Sequence, residues 1–258
     1  MPDLGWYILL VAAGFFAGIV NTIAGGGSFL TIPALMFLCD LSPQVANGTN
    51  RIAILFSSAI ASLTFRQHGT MDLKLARQLT IPTVCGVPIG ASLATELPAE
   101  AFRPVFGLVF LVMAIVLIAD PKRLVDKRKS IERQYSPVLV FAIFFAIGIY
   151  VGFMQAGMGI LLLVGMSFLR SGDLLSANAV KNLVGFIVTL TATAFFVFQG
   201  LVDWLPGLVA AAGNIAGGYV GAKLAIKKGN RLIFGVMLVV MLATGVKLMW
   251  PTIAALLT

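Results

Sequence analysis

Charge is what this 258-residue chain has least of: 11% of its residues are Asp, Glu, Lys or Arg, against about 25% in a soluble domain. With 59% hydrophobic residues there is too little polar material to cover a water-facing surface, so an ordinary soluble domain is excluded. Histidine occurs once, at His68, and Cys39 and Cys85 stand apart without metal-ligand spacing. No metal or other cofactor is therefore expected, and the two thiols read as apolar packing residues. Acidic residues are missing from the interior of every long apolar run. Asp40, Asp72, Asp173 and Asp203 all fall near run ends, which argues against a cation pump with a buried carboxylate relay. No nucleophile, base and orienting group stand together in a way that supports catalysis, so the chain is not expected to be an enzyme.

What is present in abundance is apolar sequence of helix length. Long stretches cover Gly5–Ala24, Ile52–Phe65, Leu79–Thr95, Val105–Ala119, Pro137–Met154, Leu183–Phe198, Leu205–Ala222 and Leu232–Val246. Two shorter runs, Phe29–Cys39 and Gly159–Leu169, are about half as long and suit broken or re-entrant segments. The expected fold is all-α: a polytopic helical membrane protein with eight long spanning helices and two short segments. The start, Met1-Pro2-Asp3, carries no basic leader, so no removable signal peptide is expected. The formal charge of +8 sits in short gaps between apolar runs and never forms a basic stripe interleaved with aromatics. That pattern excludes nucleic acid as a partner and reads as a set of topology determinants facing lipid and water.

The chain compares well with itself. Gly14-Phe15-Phe16-Ala17-Gly18 matches Gly148-Ile149-Tyr150-Val151-Gly152 at an offset of 134, and Gly86 to Ala94 matches Gly217 to Ala225 at 131. Gly69/Gly200 and Asp72/Asp203 share the offset of 131, and Arg103-x-x-Phe106-Gly107 matches Arg231-x-x-Phe234-Gly235 at 128. An ordered series of this kind indicates duplication: a first membrane repeat at residues 1–120, a basic cytoplasmic linker at 121–136 and a second membrane repeat at 137–258. If the short runs complete crossings, the second half is inverted. Arg66, Lys74, Arg77, the linker, Arg170, Lys227, Lys228 and Arg231 then face the cytoplasm, with Glu96, Glu100 and Asp203 opposite. Inverted repeats are therefore expected.

Each half carries a glycine-rich break. The first is Asn21-Thr22-Ile23-Ala24-Gly25-Gly26-Gly27-Ser28, and the second is Gln155-Ala156-Gly157-Met158-Gly159. Glycine weakens a helix, and a break inside a membrane is tolerable only where protein or a wet cavity satisfies its backbone. Ala46-Asn47-Gly48-Thr49-Asn50-Arg51 follows the first break, and Ser176-Ala177-Asn178-Ala179-Val180-Lys181-Asn182 follows the second. Each brings one cation and two asparagines to the start of an apolar run, where a cation opposes the helix dipole unless an anion lies between. The expected substrate-binding set is Asn21, Gly25, Gly26, Gly27, Asn47, Thr49, Asn50, Arg51, Gln155, Gly157, Gly159, Asn178, Lys181 and Asn182. Two plainer readings stand beside it: glycines as close-packing residues, and Arg51 and Lys181 as cations reaching a headgroup region.

These segments, with Pro33 and with Gly217-Gly218-Tyr219-Val220-Gly221-Ala222, resemble the TauE/SafE family of membrane transporters, described as sulfite exporters. The likeness covers nearly the whole chain apart from the linker and termini. It implies a multi-pass transporter of a bacterial-type inner membrane, moving sulfite or another small sulfur-containing or organic anion, with about eight spanning helices. The second break departs from the pattern, since Gly157-Met158-Gly159 stands where three glycines would, so the half-sites should not be equivalent. The function expected is secondary transport or export of a small anion by alternating access. A passive anion channel, or a membrane scaffold or insertion partner that carries nothing, are the competing readings.

Overall fold

A computed structural model describes residues 4–118, 136–169, 174–227 and 231–257, and among these residues the chain is all-helical. The ten helices are α1 (Leu4–Ala24), α2 (Ser28–Leu38), α3 (Pro43–Gln67), α4 (Leu73–Glu96), α5 (Ala99–Ile118), α6 (Pro137–Phe153), α7 (Met158–Leu169), α8 (Leu174–Phe198), α9 (Trp204–Lys227) and α10 (Arg231–Leu257). Local chemistry sets several ends. The Ser42 hydroxyl accepts from Val45 N at 3.4 Å ahead of Pro43, and the Asp72 carboxylate accepts from Leu75 N at 2.9 Å. Ser136 starts α6 in the same way, with Pro137 in the first turn. The linker, Arg170, Lys228 and the side chains of Lys227 and Arg231, on which part of the expected topology rests, lie outside the described residues.

The surface is apolar where a soluble protein's would be charged. Trp6, Phe16, Leu63, Ile115, Val138, Phe198 and Trp250 are all exposed, Phe198 to 89%. The interior holds Asn47, Arg51, Gln155, Lys181 and Asn182. This inside-out distribution suits a chain whose solvent is lipid. Gly5–Ala24, Leu175–Phe198 and Trp204–Ile226 are long and apolar enough to cross a bilayer, while Ser28–Leu38 and Pro137–Phe153 are shorter apolar helices. Helices α3, α4, α5 and α10 have 25, 24, 20 and 27 residues, or roughly 30–40 Å at 1.5 Å per residue.

Small residues bring the helices together and fix their directions. A Cβ on Gly18 would lie 2.8 Å from Gly218 N, and one on Gly221 would lie 3.0 Å from Thr22 Cβ, so α1 and α9 run parallel at close range. Gly86 approaches Ile149 N at 2.7 Å and Gly90 approaches Phe153 N at 2.6 Å by the same measure, so α4 and α6 are also parallel. By contrast Gly48 meets Phe196 while Gly185 meets Ser58, which makes α3 and α8 antiparallel. Gly107 meets Met249 while Gly245 meets Leu111, and α5 and α10 are likewise antiparallel. Such close approaches give van der Waals contact where lipid offers no hydrophobic drive between helices.

Candidate functional site at the crossing of two broken helices

Helix α1 ends at Ala24, and Gly25 takes a positive φ of 83°, with its N–H returned to Val20 O at 3.1 Å and Asn21 O at 2.8 Å. This left-handed stop favours glycine and closes the helix C-terminus. The second break is built differently. Helix α6 ends at Phe153, Met154 is extended, and the chain turns at Gly157, whose φ is 78°. The breaks touch: Gly159 N donates to Gly25 O at 3.2 Å, and a Cβ on either glycine would overlap the Cα of the other. Gly26 and Gly27 form the turn into α2, their carbonyls accepting from Phe29 N and Leu30 N.

The polar segments sit where the apolar runs begin but not where the helices begin. Helix α3 starts at Pro43, so Asn47 to Arg51 occupy its second and third turns, and Asn178 to Asn182 occupy the same turns of α8, which runs from Leu174. The sequence expectation of a cation at a helix N-terminus therefore shifts inward by about two turns for both Arg51 and Lys181. Ser42 and Pro43 supply the start, and the polar residues turn inward from within the helix.

Arg51 is fully buried and lies against the end of α6. Its Nη1 donates to Val151 O (3.1 Å) and Gln155 Oε1 (2.9 Å), and its Nη2 to Val151 O (3.2 Å) and Gly152 O (2.8 Å). The guanidinium also sits 4.2 Å from the centre of the Phe196 ring. Lys181 does the equivalent for α1, its Nζ donating to Asn21 O at 3.1 Å and Thr22 O at 2.7 Å. Each cation thus meets the negative end of a broken helix from the other half of the chain, where the dipole favours it. None of these partners of Arg51 is a carboxylate, so its charge is offset by carbonyl and amide dipoles and the Phe196 ring.

The amides complete the centre. Asn47 Nδ2 donates to Phe153 O at 3.0 Å and its Oδ1 accepts from Gln155 N at 3.3 Å, clamping the second break. Gln155 Nε2 donates to the Thr189 hydroxyl at 2.7 Å. Asn178 donates to Ile23 O at 3.3 Å, and Asn182 to Thr22 O at 3.4 Å and Asn178 O at 2.8 Å. Asn50 donates to Ser28 Oγ at 2.9 Å and accepts from the Thr31 hydroxyl, tying α3 to α2. Thr49 faces away from this group, its hydroxyl accepting from Asp203 N at 2.9 Å in the turn before α9. Near the same end, burial pushes the Cys39 thiol above its ordinary pKa, with a further push from the Asp203 carboxylate.

All fourteen expected residues lie in or beside the crossing except Thr49, which holds a turn. Sequence reasoning missed the carbonyls of Val151, Gly152, Asn21 and Thr22 as the cations' partners, and it missed Thr189 and Phe196. One signal was available: Thr189 and Thr193 stand 131 residues after Ser58 and Ser62, the offset shared by other repeated positions.

An apolar exterior around a buried, cation-bearing polar centre defines a multi-pass helical membrane protein. The TauE family model, described as sulfite exporter TauE/SafE, matches residues 10–248. A probable membrane transporter protein, ORF9, from a Sinorhizobium species is 31% identical over 96% of this chain and 95% of its own length. The probable membrane transporter proteins YunE of Bacillus subtilis and YfcA of Escherichia coli are 28% and 27% identical, over 96% and 95% of this chain and 98% and 91% of their own lengths. The chain belongs to the TauE/SafE family, a family of transporters rather than enzymes. No solved structure matches it.

Proposed function

We propose that this protein is a secondary transporter of a small anion, working by alternating access between two inverted halves. The observation that carries the reading is the exchange of cations: Arg51 from the first half meets broken helix α6, and Lys181 from the second meets broken helix α1. A charged side chain at the bilayer centre costs about 2.5–3.5 kcal/mol even on the lenient insertion scale. Carbonyl dipoles offset that cost without cancelling the charge, and a transient anion would complete it.

The helix directions support the inversion. Helices α3 and α8 carry the matched Asn47 and Asn178 yet run antiparallel, as do α5 and α10 with the matched Gly107 and Gly235. The parallel pair α1–α9 is matched by the parallel pair α6–α4. Equivalent helices of opposite direction require a two-fold axis in the membrane plane, the construction of many carriers. Residues 1–120 and 137–258 are then the two repeats, joined by a cytoplasmic linker at 121–136.

The same directions support the orientation. Gly207 meets Thr49 and Gly218 meets Ser57, so α3 and α9 run parallel and Arg66 shares a side with the end of α9. Lys74 and Arg77 follow on that side, which the positive-inside pattern makes cytoplasmic. Gln44 Nε2 donates to Leu97 O at 2.5 Å, which sets Glu96 with the opposite end, where Asp203 also lies. The hairpins α1–α2 and α6–α7 enter from opposite faces and meet at Gly25 and Gly159. Opening one hairpin while the other stays closed is the alternation proposed.

The family's description makes sulfite the first anion to test, followed by other small sulfur oxyanions and carboxylates. Purified protein in liposomes should give saturable flux of at least one such anion, with trans-stimulation; non-saturating flux would mean a channel. A scaffold would use the same carbonyl bonds purely as helix caps, and folded protein that moves none of these anions would establish that reading instead.

A further inference from the structure

The Lys181 side of the centre differs chemically from the Arg51 side, and the difference lies in which buried atoms have no hydrogen-bond partner among the described residues. Beside α6 that atom is Arg51 Nε, a donor. Asn214 Oδ1, also without a partner, belongs to a side chain earlier along α1, beside Gly14 and Gly18; near the last turn of α1 the atoms are Asn178 Oδ1, Asn182 Oδ1 and Ser57 Oγ. The first two only accept, and the hydroxyl can do either. Both amide orientations are set by chemistry, because each Nδ2 already donates to backbone carbonyls, which cannot donate in return. Turning either amide over would set oxygen against oxygen. All three side chains are more than nine-tenths buried.

These oxygens belong to side chains packed about one feature, the last turn of α1, two of them directly and Ser57 by way of Gly218. Asn178 and Asn182 reach it through the Ile23 and Thr22 carbonyls. Ser57 reaches it through Gly218: its Oγ lies 3.1 Å from where a Cβ on that glycine would stand, and the Gly218 carbonyl accepts from the Thr22 hydroxyl at 3.4 Å. Carbonyls at a helix C-terminus carry the negative end of the dipole. Surplus acceptors at such an end repel an anion and suit a small hard cation, the arrangement by which half-helix C-termini hold coupling ions. The ligand oxygens named contain no carboxylate, which favours a single positive charge over a divalent ion.

We propose that this oxygen-lined turn is a monovalent alkali-cation site, with Lys181 as its built-in competitor. In the structure the ammonium holds Asn21 O and Thr22 O. A sodium ion entering among Thr22 O, Asn178 Oδ1, Asn182 Oδ1 and Ser57 Oγ displaces the ammonium from Thr22 O and releases it toward the anion side. Cation entry then prepares the anion site, so the two solutes move together; this coupling rests on the transport reading, whereas the cation site stands without it.

The test uses the full chain in detergent, with thermal unfolding followed in sodium, lithium, potassium or choline chloride at matched ionic strength. Ligand binding to the folded state raises the midpoint. A saturable rise with sodium or another alkali ion over choline is expected, with the half-saturating concentration raised at least tenfold by Asn182→Leu and severalfold by Ser57→Ala. The serine variant removes one hydroxyl and keeps the measurement decisive if Asn182→Leu does not fold. Equal curves for all four salts, or alkali-ion stabilisation unchanged in Ser57→Ala and in folded Asn182→Leu, would overturn the site. Alkali-ion stabilisation without anion flux would overturn the transport reading alone. Anion flux indifferent to sodium, lithium and potassium would overturn the coupling.

Discussion

Gly25 is replaced by alanine, and its loss is divided between backbone strain and steric overlap by two companion variants. Gly69 has a positive φ of 67° and open space within 4 Å of a Cβ, so Gly69→Ala carries only the left-handed cost, about 1–2 kcal/mol. Gly159 has no positive φ, but its Cβ would overlap Gly25 Cα and lie 3.0 Å from Lys181 Cδ. Gly159→Ala therefore carries only overpacking, about 1–3 kcal/mol. Gly25→Ala carries both, about 2–5 kcal/mol in total, because the overlapping atoms are backbone and cannot rotate aside. Fluorescence-detected size-exclusion after heating, in one detergent, ranks the three. Gly25→Ala should be least stable, and Gly159→Ala should also lose anion binding by displacing Lys181. If Gly25→Ala and Gly69→Ala melt together, the two breaks do not touch at Gly25 and Gly159.

Single cysteines at His68 and Asp203, both exposed, placed in a chain lacking Cys39 and Cys85, should react with an impermeant maleimide from opposite faces of the membrane; labelling from one face would refute the inverted arrangement. The Cys39 thiol, raised by burial and by Asp203, should react slowly at neutral pH and faster as pH rises toward its raised pKa. Asp203→Asn removes the negative neighbour, lowers that pKa and should speed labelling at pH 7; no change would separate the two groups. Asn47→Leu leaves Phe153 O and Gln155 N without their partner and should cost about 2–6 kcal/mol, at about 1–3 per buried group, in thermal or denaturant unfolding. A loss under 1 kcal/mol would mean that Asn47 does not clamp the break.

The membrane class was legible because exclusion of charge is a whole-chain property, and the helices follow the apolar runs. Their starts were less legible. Ile52 is where α3 becomes apolar, whereas Ser42 and Pro43 are where it begins, and polar residues facing a buried centre look in sequence like a loop. The cation pair was found by its repetition. Its partners were not, because backbone carbonyls carry no residue signature: nothing about Val151 or Thr22 as side chains says that its main-chain oxygen ends a helix beside a charge. The glycine matches proved to be contact surfaces between α1 and α9 and between α4 and α6, which requires the folded pairing to see.

Anion flux into liposomes carrying Arg51→Ala, Arg51→Lys or Lys181→Ala, normalised to folded protein and set beside Lys247→Ala, tests the central claim most directly. Lys247 is exposed and lies over the Phe37 ring, away from the crossing. Arg51→Lys keeps the charge but loses the planar fork, so it should weaken sulfite or another oxyanion more than a halide. Both alanine variants should lose flux of every anion carried while Lys247→Ala keeps it. Flux at the parental level in both alanine variants would reduce Arg51 and Lys181 to helix caps and contradict the account.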